Sequence, residues 1–177
     1  GSVERVEPAK VQFNSHLYVI GGYRDLDEVI SGMQVLDMTT GQWVRKIEKT
    51  NSIAQTHCGI VGEANRYIYF IAGQVGIQCS PAVKDCHVYD IETEQWSKIP
   101  SLPQVRYAPV TVLWKGRLHV MGGSQDDRVT SAREHWSIAV RNGKALEAEW
   151  KEEIPCPIGG PHRTSAVVEG VLYLLGA

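Results

Sequence analysis

The sequence predicts an all-β repeat fold, a partial β-propeller of about three and a half four-stranded blades. Three observations carry that prediction. One hydrophobic phrase ending in glycine is written four times. A tryptophan follows each of the first three copies. No stretch longer than two turns keeps apolar residues at helical spacing without a Gly, Pro or turn signal breaking it.

The phrase is His16-Leu17-Tyr18-Val19-Ile20-Gly21-Gly22, then Tyr67-Ile68-Tyr69-Phe70-Ile71-Ala72-Gly73, then Arg117-Leu118-His119-Val120-Met121-Gly122-Gly123, and last Val171-Leu172-Tyr173-Leu174-Leu175-Gly176-Ala177. From Gly22 to Gly73, Gly123 and Gly176 the steps are 51, 50 and 53 residues. An apolar, β-branched and aromatic run stopped by glycine reads as a strand buried on both faces. The glycines mark where backbone passes too close for a side chain.

Each unit adds three further strands. A short apolar strand precedes the phrase: Cys58-Gly59-Ile60-Val61, Ala108 to Trp114, and Ser165-Ala166-Val167-Val168. Tight turns at Asn65-Arg66, Lys115-Gly116 and Glu169-Gly170 lead on from these. After the phrase and a longer loop come Val35-Leu36-Asp37 and Val88-Tyr89-Asp90, each with a Trp six residues beyond the Asp, Trp43 and Trp96. The third unit has Trp136 to Val140, a hairpin signal at Asn142-Gly143, a longer connection, and Trp150. One unit therefore reads strand a, tight turn, strand b, loop, strand c, short turn, strand d, which is a propeller blade. The blades fall at about 9–46, 57–98 and 106–151, with a half-blade at 164–177.

The chain has 177 residues, 43% of them apolar, enough for a sizeable core. A net charge of -2 supplies no basic footprint, so nucleic acid is excluded as an expected partner. No apolar run approaches the roughly 18 residues of a membrane span, and Gly1-Ser2-Val3-Glu4 does not read as a signal peptide. Cys58, Cys79, Cys86 and Cys156 form no C-x-x-C pair and are too sparse for a disulfide scaffold. Cys79 and Cys86 flank one short loop, either bridging it or standing as free thiols.

Gly-Gly, a following strand with aromatic and Asp, then Trp, at a spacing near 50, resembles the kelch repeat over nearly the whole chain. The departures are Ala72-Gly73 in unit two, Gly176-Ala177 in the fourth copy, and the missing Asp of unit three. The resemblance implies a six- or seven-bladed ring. Three and a half blades cannot close one, so the missing blades of the same propeller are expected partners, and the chain reads as part of something longer. Isolated, it is expected to aggregate. Arg106-Tyr107-Ala108-Pro109, Gly116 to Gly123 and Glu134 to Val140 are similar to a plant kelch-repeat family. That likeness implies an N-terminal membrane anchor and an endomembrane or Golgi setting, against a cytoplasmic one for other kelch proteins. It would also let Cys79 pair with a cysteine in the missing blades.

Antiparallel order places the a–b and c–d turns at one end of the strands and the b–c and d–a connections at the other. The second set is longer and richer in reactive side chains, and loops at one end of a rigid scaffold are where binding usually lives. Its b–c loops start at Tyr23, Gln74 and Ser124 and carry Arg24 and Arg128. Its d–a connections deliver His57, then Arg106 and Tyr107, then His162 and Arg163, just before strand a, which predicts a cationic ring around the pore mouth. These seven are the candidate binding residues. Arginine's planar fork suits carboxylates, phosphates and acidic motifs. In kelch adaptors of ubiquitin ligases, arginines before strand a line such a face, and Arg106 and Arg163 resemble those positions, whereas His57 departs from them. The alternative for all three is that they bond to neighbouring blades' carbonyls and close the pore.

Other clusters read as scaffold. Asp25, Asp27, Glu28 and Asp126-Asp127 lack the alternation of a calcium loop. Cys79, Cys86 and His87 lack zinc spacing. His16, His119 and His135 read as packing residues, and Trp43, Trp96 and Trp150 as plates between blades, while Trp114 and Trp136 are off that register and could reach a surface. The expectation is a non-catalytic binding module for a protein, with an acidic motif, or for an anionic or carbohydrate ligand, needing no cofactor or metal. The alternatives are a propeller enzyme, either a copper oxidase of the galactose oxidase type or a sialic-acid mutarotase, and a carbohydrate-related endomembrane protein.

Overall fold

The computed structural model describes residues 5–24, 28–47, 55–76 and 81–176, with backbone alone at 46 and 47. Among the described residues every regular element is a strand. The first sheet holds β1 (Ala9–Phe13), β2 (His16–Ile20), β5 (Met33–Asp37) and β6 (Gln42–Ile47), in the order β1-β2-β5-β6. A two-stranded ribbon, β3 (Tyr23–Arg24) with β4 (Glu28–Val29), stands between β2 and β5 in the chain. The second sheet runs β7 (Gly59–Glu63), β8 (Tyr67–Ile71), β9 (Cys86–Asp90), β10 (Gln95–Ile99). The third has β11 (Val110–Trp114), β12 (Arg117–Met121) and β13 (His135–Arg141), and its outer position is split between β14 (Lys144–Ala145) and β15 (Lys151–Glu152), both paired to β13. A last hairpin joins β16 (Thr164–Val168) to β17 (Val171–Leu175). All pairings are antiparallel. This is the meander of successive four-stranded blades.

The tight turns work as their residues require. Lys115-Gly116, Asn142-Gly143 and Glu169-Gly170 each hold two successive positive φ angles, the geometry of a two-residue hairpin whose twist matches its strands. The Asp that ends strand c caps the following turn. Asp37 Oδ1 accepts from the Thr39 amide at 2.8 Å, and Asp90 Oδ1 from the Glu92 amide at 3.0 Å. Asp90 is also held by Arg66 through two bonds of 2.9 and 2.7 Å, and this guanidinium keeps its carboxyl well below the usual carboxylate range.

Alternation decides which blade each side chain meets. On β8, Ile68 and Phe70 pack with Phe13, Ile20 and Met33 of the first sheet, whereas Tyr69 and Ile71 pack with Leu118, Val120 and Ile138 of the third. The strand is thus covered on both faces. Trp96 packs towards the first sheet and Trp150 towards the second, its Nε1 donating to the Pro100 carbonyl at 2.8 Å. Each strand-d tryptophan therefore faces the blade before its own.

Three expectations change. Trp43 is 41% exposed, not core, because among the described residues no blade covers the face that its equivalents press on a preceding one. Trp136 is buried, not at a surface, in the cluster between the second and third sheets. The third strand d is not one strand. The longer connection breaks it, Glu147 accepts the Ala139 amide in place of a backbone partner, and Trp150 stands just ahead of β15.

Candidate functional site

Strand a of each blade is entered through the same backbone device. Two residues before β1, β7, β11 and β16 stand Glu7, His57, Ala108 and His162, with φ of 53, 52, 46 and 57°. The residue before three of these bridges the one after the glycine pair, at Val6–Tyr23, Thr56–Gln74 and Tyr107–Ser124. The glycines exist for this crossing. A Cβ on Gly73 would lie 2.6 Å from the Thr56 carbonyl oxygen, and one on Gly123 2.6 Å from that of Tyr107. Strand b, the d–a segment and the b–c loop are locked together at one end of the blades.

This register re-sorts the predicted cationic ring. His57 and His162 are equivalent. Arg106 sits one place before Tyr107, level with Arg5 and Gln55, and Arg163 one place after His162, level with Cys58 and Pro109. Counting from the tryptophans already separates the two arginines, because Trp96 to β11 and Trp150 to β16 are the same step of 14 residues while Arg106 and Arg163 fall 10 and 13 residues along it.

The structure brings four of the seven candidates together. The rings of His57 and Tyr107 stack at 4.5 Å, and His162 stands edge-on to both, at 5.2 Å from His57 and 5.6 Å from Tyr107. Beside them a cavity of about 300 Å³ is lined by Glu7, His57, Cys58, Ala108, His162 and Arg163, among others. His57, with a side chain only 3% exposed, lies 2.8 Å from the Glu7 carboxylate through Nε2, and its Nδ1 is 2.5 Å from the Thr56 hydroxyl. The nearby Glu7 carboxylate favours the proton on Nε2, although that contact is not aligned as a hydrogen bond, and Thr56 then donates to Nδ1. Burial lowers the pKa of His57, Glu7 opposes that, and His162 adds to it, so the ring is neutral at pH 7. His162 is exposed and Arg163 half-buried, with its Nε lacking a partner.

The other three lie elsewhere. Arg106 is 1% exposed, its guanidinium 2.6 Å from Glu134 and stacked 4.6 Å over the Trp136 ring. Burial lowers its pKa and Glu134 opposes this. Its side chain is thus held within its own blade, and only its backbone joins the second, through Gly73 N to Arg106 O at 2.8 Å and Arg106 N to Val83 O at 3.2 Å. Arg24, exposed, pairs with Glu28 at 3.2 Å. Arg128 is exposed in the loop after β12, its amide donating to Gln125. Tyr23, Gln74 and Ser124, which open the b–c loops, are buried. Glu7, which the sequence reading passed over, is recognisable only through its place two residues before strand a.

The remaining clusters resolve locally. Asp127 accepts from the amides of Val129 and Thr130 and from the Thr130 hydroxyl, as a turn cap does. Asp25, Asp27 and Cys79 lie outside the described residues. Cys86 is a free thiol, and burial pushes it and Cys58 up to about 12, out of the reactive range. His87 is buried on β9 with Nδ1 unpartnered. Among the described residues no group of three or more His, Cys, Asp or Glu side chains converges as metal ligands would.

The model of the KLHDC2/KLHL20/DRC7 kelch-repeats domain matches residues 8–177. A kelch repeat-containing protein of Arabidopsis thaliana, At3g27220, is 45% identical over 174 residues, covering 98% of this chain and 40% of that protein. Kelch-like protein terF of Aspergillus terreus is 22% identical over 180 residues, covering 97% and 39%. The chain thus spans about two-fifths of the length of these relatives. The solved structure of YjhT superposes with a TM-score of 0.76 at 13% identity, over 96% of this chain and 58% of that one, a likeness of fold. The repeated glycine strand, the once-per-blade tryptophan and these matches agree: the chain belongs to the kelch-repeat family of β-propellers.

Proposed function

We propose that this kelch propeller segment is a non-catalytic binding module, and that the d–a face around His57, Tyr107, His162 and Arg163 receives an acidic segment of a protein partner. One observation carries the reading. Arg163 borders the cavity without an ion-pair partner among the described residues, whereas Arg66, Arg106 and Arg117 are each paired to a carboxylate. Its Nε is buried without an acceptor, as is that of Arg106. An incoming carboxylate would meet the part of this guanidinium that borders the cavity with a charge-assisted bond. Exposed His162, backed by the buried Tyr107 ring, supplies the rest of a small polar patch on a rigid frame.

The test is calorimetric titration of the protein with a glutamate-rich peptide, with N-acetylneuraminic acid as a sugar-acid comparison. Arg163→Ala should weaken peptide binding about 10-fold or more, the loss of one charge-assisted hydrogen bond, and Arg163→Lys should recover only part of it. Equal affinity in wild type and Arg163→Ala would reject the assignment. Binding of the sugar acid alone would replace the protein partner with a small anion.

A further inference from the structure

The third blade carries a histidine pair that the d–a face does not use. His119 on β12 alternates with Leu118 and Val120, which face the second blade, so it points the other way. Met121 shares that face and packs with Leu172 and Leu174 of the β16–β17 hairpin. His119 Nδ1 lies 2.9 Å from His135 Nε2, and His135 Nδ1 lies 3.1 Å from the Ile154 carbonyl oxygen. A carbonyl only accepts. His135 therefore carries its proton on Nδ1, its Nε2 accepts, and His119 donates from Nδ1. His119 is 5% exposed. The Trp114 ring stands 5.5 Å from it, and the Trp114 Nε1 donates to the Gly170 carbonyl in the β16–β17 turn at 3.2 Å. The pair is thus wired to the hairpin through one tryptophan.

We propose that the His119–His135 pair is a proton-sensitive latch that holds the β16–β17 hairpin on the third blade at neutral pH and releases it in mildly acidic solution. One added proton fits: His135 then donates from both nitrogens and His119 accepts. A second leaves two donors facing each other at 2.9 Å with no acceptor between, and one ring must leave. Arg117 and Lys151 add positive charge around the pair and oppose protonation, while Glu153 favours it. Lys115 lies over the Trp114 ring, and the hairpin contributes Glu169 next to Gly170. Burial, then the neighbouring His135, pushes His119 down to about 4 from an ordinary 6.5. A group depressed in this way binds its proton more readily once exposed. The stability it lends is complete above about 6.5 and is lost as pH falls towards 4.

Hydrogen exchange of the full chain tests the latch, with peptides covering 164–175 compared with 67–71 at pH 7 and pH 5 as protection factors. The opening equilibrium of the hairpin should rise about 20-fold at pH 5 relative to the reference peptide. His119→Gln and His135→Gln should each flatten that response, and His87→Gln, at the buried histidine of β9, should leave it intact. Equal relative protection at both pH values would overturn the proposal, as would a response that survives in both His119→Gln and His135→Gln. If neither variant folds, a response kept in His87→Gln supports the latch and one lost there overturns it.

Discussion

Strands β8 and β17 are copies of one phrase with opposite surroundings. Tyr69 and Tyr173 occupy the same place in it, yet Tyr69 is 0% exposed and Tyr173 47%. Ile71 is buried, and its counterpart Leu175 is open to solvent. Both strands have the same length, the same hairpin partner on one side and the same alternation. What differs is the company. β8 has a blade against each face and β9 along its second edge. Among the described residues β17 has one blade against it and pairs with β16 alone. The phrase specifies a strand able to be buried twice. The neighbours decide whether it is.

The largest test of that contrast truncates the paired tyrosines. Tyr69→Ala removes a ring packed between two blades and its 2.7 Å bond to Glu63, and should cost about 3–5 kcal/mol in urea unfolding. Tyr173→Ala should stay within about 0.5 kcal/mol. Equal losses would mean that the β17 face is covered in solution. The glycines come next. Gly73→Ala meets the Thr56 carbonyl at 2.6 Å and the Cys58 backbone at 2.7 Å, so its thermal midpoint should fall by more than that of Gly170→Ala. At Gly170 no atom lies within 4 Å, and only the left-handed φ opposes a side chain, at about 1 kcal/mol. A reversed order would show that the d–a crossing can shift aside. The smallest effect concerns the strand-c aspartates. Asp90→Asn loses the Arg66 fork and should cost up to about 1 kcal/mol, discounted because the arginine is partly exposed. Asp37→Asn, with turn amides and no arginine fork, should lose less. The contribution of Asp90 is present above the unfolded carboxylate pKa and fades as pH falls, because its folded value is lowered. Acid titration of the two variants against wild type reads that difference.

Much of the fold was legible because the repeat is written in composition. Glycine pairs, Asp-capped turns and a tryptophan every 53 or 54 residues each mark a fixed place in a blade. The candidate site was less so. Arg106 and Arg163 both stand shortly before an apolar strand in the sequence. They differ because Glu134 and Trp136, about thirty residues from Arg106, enclose one guanidinium and leave no counterpart for the other. His119 and His135 read as packing residues, and they do pack. Their mutual hydrogen bond depends on the register of β12 against β13, where Met121 opposes His135 and His119 opposes Ser137.

By itself the sequence determined the strands, their antiparallel order, the turn residues and the family, since each follows from local periodicity and from the φ angles that glycine and asparagine tolerate. Only the tertiary structure decided which tryptophans are buried, which arginine is enclosed, and which histidines share a proton. Those outcomes depend on contacts between paired strands and between blades, where a shift of one position changes the neighbour a side chain meets.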